Sequence, residues 1–169
     1  MFEGIKGIKK GGKVAEAVSE STMQTINWFI KNGHNLKTND TLFTCAEFFC
    51  YAKLICFPTH MSQSKFIKYT GSIDVQAKTL LNDWLKNATG VFALDDYFNT
   101  LDDEFQKFTK KIMDNNKISG GNMNEKFSIL KTHASLQVIV DFSEYFELDT
   151  EEFKTSIGNY CEQIRHKIN

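Results

Sequence analysis

The sequence predicts an all-α protein, a single compact bundle of six to seven helices around a hydrophobic central helix at about residues 41–57. Three observations lead there. Leu94, Phe98, Leu101, Phe105, Phe108 and Ile112 recur at steps of 4, 3, 4, 3 and 4, which lays an apolar seam down one side of a helix. No comparable run of alternating residues, the mark of a half-buried strand, occurs anywhere. Pro58 is the one proline in 169 residues, so little interrupts helical chain.

From the N-terminus, residues 1–12 read as a flexible basic arm rich in Gly and Lys. Gly4, Gly7, Gly11 and Gly12 would each cost a helix about 1 kcal/mol. Residues 13–169 then form one all-helical domain, with no internal repeat and no break in composition. Its first helix is expected over Lys13–Asn32, with Ala15, Val18, Ile26 and Phe29 inward and Gly33 as its stop. Asp40 is expected to cap the second, about Thr41–Phe57. Only Thr41, Thr44, Glu47 and Lys53 in that stretch are not apolar, which places it at the centre of the domain.

A short helix over Ser62–Tyr69 is expected to end at Gly71, and another, Val75–Ala88, to carry Leu80, Leu81, Trp84 and Leu85 and stop at Gly90. The seam helix follows to about Asn115, and a long helix opened by Asn122 or Asn124 runs to about Phe146. Asp149 with Glu152 resembles a capping box for the last helix, which turns Phe153, Ile157, Tyr160, Ile164 and Ile168 inward. Arg165, His166 and Lys167 suit the negative end of its dipole.

Composition narrows the function. A net charge of −1 provides no global field toward nucleic acid, and Arg165 is the one arginine among 20 basic residues. Bidentate phosphate and guanine contacts come from arginine, so no specific nucleic-acid partner is expected. The four cysteines read as small buried thiols in a reducing compartment; Cys45 and Cys56 on one helix lie too far apart to pair, while Cys161 is free to reach a partner through the fold. Leu42–Phe57 is too short and too charged for a transmembrane segment, and Met1–Lys13 lacks the apolar core of a secretory signal. A soluble, cytoplasmic protein is expected.

Several motifs fail on inspection. Gly7–Val14 has the glycine and lysine spacing of a phosphate-binding loop, but Val14 stands where the magnesium-holding hydroxyl belongs and no strand precedes it. The same segment spaces Phe2, Ile5 and Ile8 three apart among Lys6, Lys9, Lys10 and Lys13, a rudimentary cationic amphipathic helix suited to an anionic membrane surface. Asp95-Asp96-Tyr97-Phe98-Asn99 has the look of the magnesium-holding motif of prenyl-diphosphate enzymes, yet the second acidic set of that family is missing. Glu144 and Glu147 supply one E-x-x-E but not the E-x-x-D of small helical pyrophosphatases. His34, His60, His133 and His166 are scattered, without another His or Cys one turn away. No cofactor and no metal are expected.

What remains is an acidic helical face. Asp95, Asp96, Asn99, Asp102 and Asp103 are expected on the flanking and outer surface of the seam helix, with Glu144–Glu152 as an additional acidic region. The leading expectation is a non-catalytic binding domain that docks a basic protein partner on this face. In profile it is similar to immunity proteins and antitoxins that neutralise toxins. An alternative is a carrier or sensor with a phenylalanine-lined cavity that includes Cys45, Cys50 or Cys56; another is a small enzyme using carboxylates. Glu47 breaks the pattern of its helix: it either reaches solvent, pairs with a cation or has a raised pKa, and an exposed polar edge shared with Thr44 is expected.

Overall fold

The computed structural model describes residues 2–90, 101–118 and 123–169, and among them the chain is helical throughout, with six helices and no strand. These are α1 (Phe2–Lys31), α2 (Thr38–Ile55), α3 (Gln63–Thr89), α4 (Leu101–Asn115), α5 (Met123–Phe146) and α6 (Glu151–Ile168). As its composition requires, α2 is the central element and touches each of the other five. Phe48, Phe49, Tyr51 and Leu54 are its largest sealed side chains. Around it, rings meet edge-on or tilted: Phe48 and Phe43 against Phe142, Phe57 against Phe66, Phe105 and Phe127.

The described part of the seam behaves as its spacing demands. Leu101, Phe108 and Ile112 are buried and Phe105 is half-buried, while Leu94 and Phe98 lie outside the described residues. On α6, Phe153, Ile157, Ile164 and Ile168 are buried and Tyr160 half-buried. Gly33 and Gly90 end α1 and α3 in left-handed conformations, φ +84° and +72°. All four cysteines are buried and unpaired.

Local signals misplace several boundaries. Asp40 is not the N-cap of α2; it sits at the third helical position, where its Oδ2 accepts from the Lys37 backbone N–H at 2.9 Å. The N-cap of α6 is Thr150 rather than Asp149, and its hydroxyl accepts from Phe153 N–H at 3.2 Å. α3 runs straight through Gly71, because a glycine weakens a helix by only about 1 kcal/mol and burial of Ile73, Ala77, Leu81 and Leu85 outweighs it.

The largest correction concerns residues 1–12. From Phe2 onward they belong to α1, not to a free arm. Gly7 and Gly11 are buried against α3: a Cβ at Gly7 would lie 2.6 Å from the Tyr69 carbonyl oxygen, and one at Gly11 2.9 Å from that of Ile73. The contacts advance together along both helices, so α1 and α3 run parallel at close backbone approach. Lys10 Nζ donates to the Ile168 carbonyl at 2.7 Å, and Lys167 pairs with Glu16 and Glu20 at 3.0 and 2.7 Å, which ties the same segment to α6.

Two glycines five residues apart should therefore respond with opposite sign. Gly12→Ala, where a methyl group meets open space, is expected to stabilise by about 1 kcal/mol. Gly7→Ala gains the same propensity but drives a methyl group into backbone, so a net loss of about 1–2 kcal/mol is expected. Paired thermal melts check this; a more stable Gly7→Ala would refute the close approach.

Candidate functional site

The site grows from Glu47, the residue that breaks the apolar pattern of α2. The expected exposed edge is not what forms. Thr44 is fully buried, its hydroxyl donating back to the Asp40 carbonyl at 2.8 Å, and Glu47 is half-buried with its Oε2 sealed from solvent. α4 and α5 cover this side of α2, which a single-helix reading does not anticipate.

α5 brings Asp141, buried, against Glu47. Asp141 Oδ1 accepts from Gln137 Nε2 at 2.9 Å and from Lys111 Nζ at 3.3 Å, and Gln137 Oε1 accepts from Asn115 Nδ2 at 2.9 Å. One half of Asp141 is thus satisfied from α4 and α5. Its Oδ2, like Glu47 Oε2, has no such donor. Burial, then the charge and the hydrogen bond of Asp141, raise the Glu47 pKa well above the ordinary carboxyl range, with Lys111 opposing. A protonated Glu47 supplies the proton that two adjoining carboxyl oxygens otherwise lack.

Above the pair lies a cleft of about 350 Å³ lined by Leu42, Phe43, Ala46, Glu47 and Cys50, with Glu104 and Tyr145 among its polar groups. Phe43 and Tyr145 stack at 3.8 Å and 6°, and the Tyr145 hydroxyl donates to Asp40 Oδ1 at 2.9 Å, which fixes that wall. Of the cysteines only Cys50 reaches the cleft; Cys45 and Cys56 do not line it, and burial pushes both of those thiols up to about 12. Burial, then the neighbouring Glu47, also raises Cys50 well above its ordinary value, so the thiol is an apolar wall rather than a nucleophile. Among the described residues no group of three or more His, Cys, Asp or Glu is placed to hold a metal ion. The arrangement offers a largely apolar slot lined by two carboxyl groups, of which Glu47 has the raised pKa.

Asp95, Asp96 and Asn99 lie outside the described residues. Asp102 is exposed, but it belongs to an internal ion cluster: its Oδ1 accepts from Lys78 Nζ at 2.8 Å and lies 3.8 Å from Lys53, and Lys53 and Lys78 each hold Asp74 at 2.8 Å. The Lys78 hydrogen bond comes first among the causes that hold the Asp102 carboxyl below its ordinary range. Asp103 is exposed; Glu104 lies 3.5 Å from Lys107, and Asp114 lies 2.8 Å from Lys110. The described part of this face is therefore one of alternating sign. In the other acidic stretch, Asp149 pairs with Lys154 at 2.6 Å.

Sequence reasoning missed Asp141, although Val138-Ile139-Val140-Asp141-Phe142 carries the same sign as Glu47, an acid within an apolar helical run. Comparison with known proteins finds no matching family model, no matching curated protein and no matching solved structure. The fold and the cleft describe a helical bundle with an acid-lined surface slot, and no helix among the described residues is long and apolar enough to cross a membrane.

Proposed function

We propose that the protein is a non-catalytic binder of a small apolar amine, held in the Glu47 cleft. The observation that carries this reading is a half-buried carboxyl with a raised pKa, Glu47, lining a cleft beside the apolar side chains of Leu42, Phe43 and Ala46. An ammonium group in the cleft offers donors to the Glu47 carboxyl that lines it, and its charge replaces the proton that Glu47, with its raised pKa, otherwise retains. Leu42, Phe43 and Ala46 take the hydrocarbon body, and Glu104 adds negative charge at the rim. A neutral ligand gains at most an uncharged hydrogen bond from Glu47, weaker than the charge-assisted one, and an anion is repelled once the carboxyl ionises. The cleft volume is at the small end of ligand pockets, which favours a short molecule.

Burial raises the Glu47 pKa, so at pH values where the carboxyl keeps its proton, capture of the cation releases it, and affinity should rise with pH through the titration of Glu47. Hexylamine, hexanol and hexanoate are suitable probes, followed by amide chemical-shift mapping at constant pH. Saturable shifts confined to α2, α4 and α5 are expected for hexylamine alone. Glu47→Gln should weaken its binding about 10- to 100-fold, the loss of one charge-assisted hydrogen bond worth roughly 1.5–3 kcal/mol. Equal response to hexanol, or unaltered affinity in Glu47→Gln, would end the reading.

A further inference from the structure

The N-terminal halves of α1 and α3 carry apolar side chains that the bundle does not use. Phe2 is 74% exposed, Ile67 61% and Val75 67%, and Ile5 and Ile8 are each half exposed. They are not scattered. Phe2, Ile5 and Ile8 follow one another at three-residue steps along α1, and a shallow groove of about 450 Å³ between the helices is flanked by Ile8, Ile67 and Val75. The groove exists because Gly7 and Gly11 let the two backbones approach, so the patch is built in advance rather than assembled from a free arm.

Charge around this patch is mainly positive, with one acid, Glu3, beside Phe2 in the first turn of α1. Lys6, Lys9 and Lys13 on α1 and Lys65 and Lys68 on α3 are exposed, and none of them makes an ion pair among the described residues. Between Lys6 and Lys13, and between Ser64 and Ile73, there is no acid. The acids that follow each stretch are engaged elsewhere: Glu16 by Lys167, and Asp74 by Lys53 and Lys78. Exposed apolar side chains interleaved with lysines, on paired helices lying side by side, match a bilayer interface, where rings and branched chains enter the acyl boundary and ammonium groups stay among phosphates.

We infer that this face of α1 and α3 docks on an anionic lipid bilayer. A second copy of the chain fits poorly, since it would bring five lysines of each copy together with Glu3 alone to offset them. The contact is peripheral, made by a folded surface with its apolar side chains at the headgroup level. It is independent of the amine cleft, which is formed by α2, α4 and α5.

The test is co-sedimentation of the full chain with vesicles of phosphatidylcholine alone and of phosphatidylcholine with roughly a third phosphatidylserine. Partitioning at least about tenfold stronger onto the anionic vesicles is expected, falling as salt rises. Lys9→Ala should lower it about fivefold, and Ile67→Asp about tenfold or more. Lys110→Ala, on α4, should leave it unchanged. All three positions are exposed, so helical circular dichroism should be retained. Failure to bind anionic vesicles, equal binding to both vesicle types, or wild-type binding by Ile67→Asp would overturn the inference. So would a concentration-dependent dimer, seen by light scattering, that Ile67→Asp dissolves, because the occupant would then be a second copy.

Discussion

Phe142→Ala is expected to cost about 3–5 kcal/mol, the range for removing a fully buried aromatic ring. Phe142 is 0% exposed and lies where α5 meets α2, its ring centroid 5.1 Å from that of Phe48, 5.5 Å from that of Phe43 and 5.9 Å from that of Phe146. Truncation removes contacts to three rings held by two different helices, so the void has no single neighbour free to fill it. Against the roughly 5–15 kcal/mol of a typical domain this is a large fraction, and the variant should melt far below the wild type or fail to accumulate folded. Phe142→Leu, which retains much of the volume, should lose about 1–2 kcal/mol. Chemical denaturation of the two variants checks the ranking. A Phe142→Ala cost under about 1 kcal/mol would mean that the aromatic layer is not a packed core.

The second large effect is a pH dependence of stability set by Glu47. Its carboxyl pKa is raised in the fold, so above the ordinary glutamate value of 4.5 the unfolded chain releases the proton while the native state keeps it. Stability is therefore expected to fall as pH rises through the window between the unfolded and folded values, with a limiting slope of about 1.4 kcal/mol per pH unit. Glu47→Gln cannot ionise, and the difference between wild type and variant should grow with pH in favour of the variant. Other groups act in separate windows. The lowered Asp102 carboxyl contributes stability that is lost as pH falls below its ordinary value, and the raised Lys111 contributes stability that is lost only above the ordinary lysine value. Urea unfolding of both proteins at several pH values between about 5 and 8 isolates the contribution of Glu47. Parallel stability curves would show that Glu47 is ionised in the native state, and the proton-exchange account of amine binding would fall with it.

Much of the helical framework was legible locally. The near-continuous apolar run of α2 demanded a central position, and the inward residues of α6 followed from a period that any isolated helix obeys. Gly33 and Gly90 announced two helix ends because left-handed backbone is a local requirement that glycine meets. Glu47 could be flagged as anomalous but not placed, since a carboxylate on an apolar helix has several outcomes and the neighbouring helix selects among them.

Sequence alone determined that this chain is helical, which helix lies at its heart and which faces turn inward, because these depend on side chains a few residues apart on one helix. Tertiary structure alone decided that Gly7 and Gly11 are packing surfaces rather than breakers, that Asp141 meets Glu47 across α5 and α2, and that Asp102 is held by Lys78. Those outcomes rest on the backbone of a distant helix arriving at a particular separation, and local periodicity contains no measure of that distance.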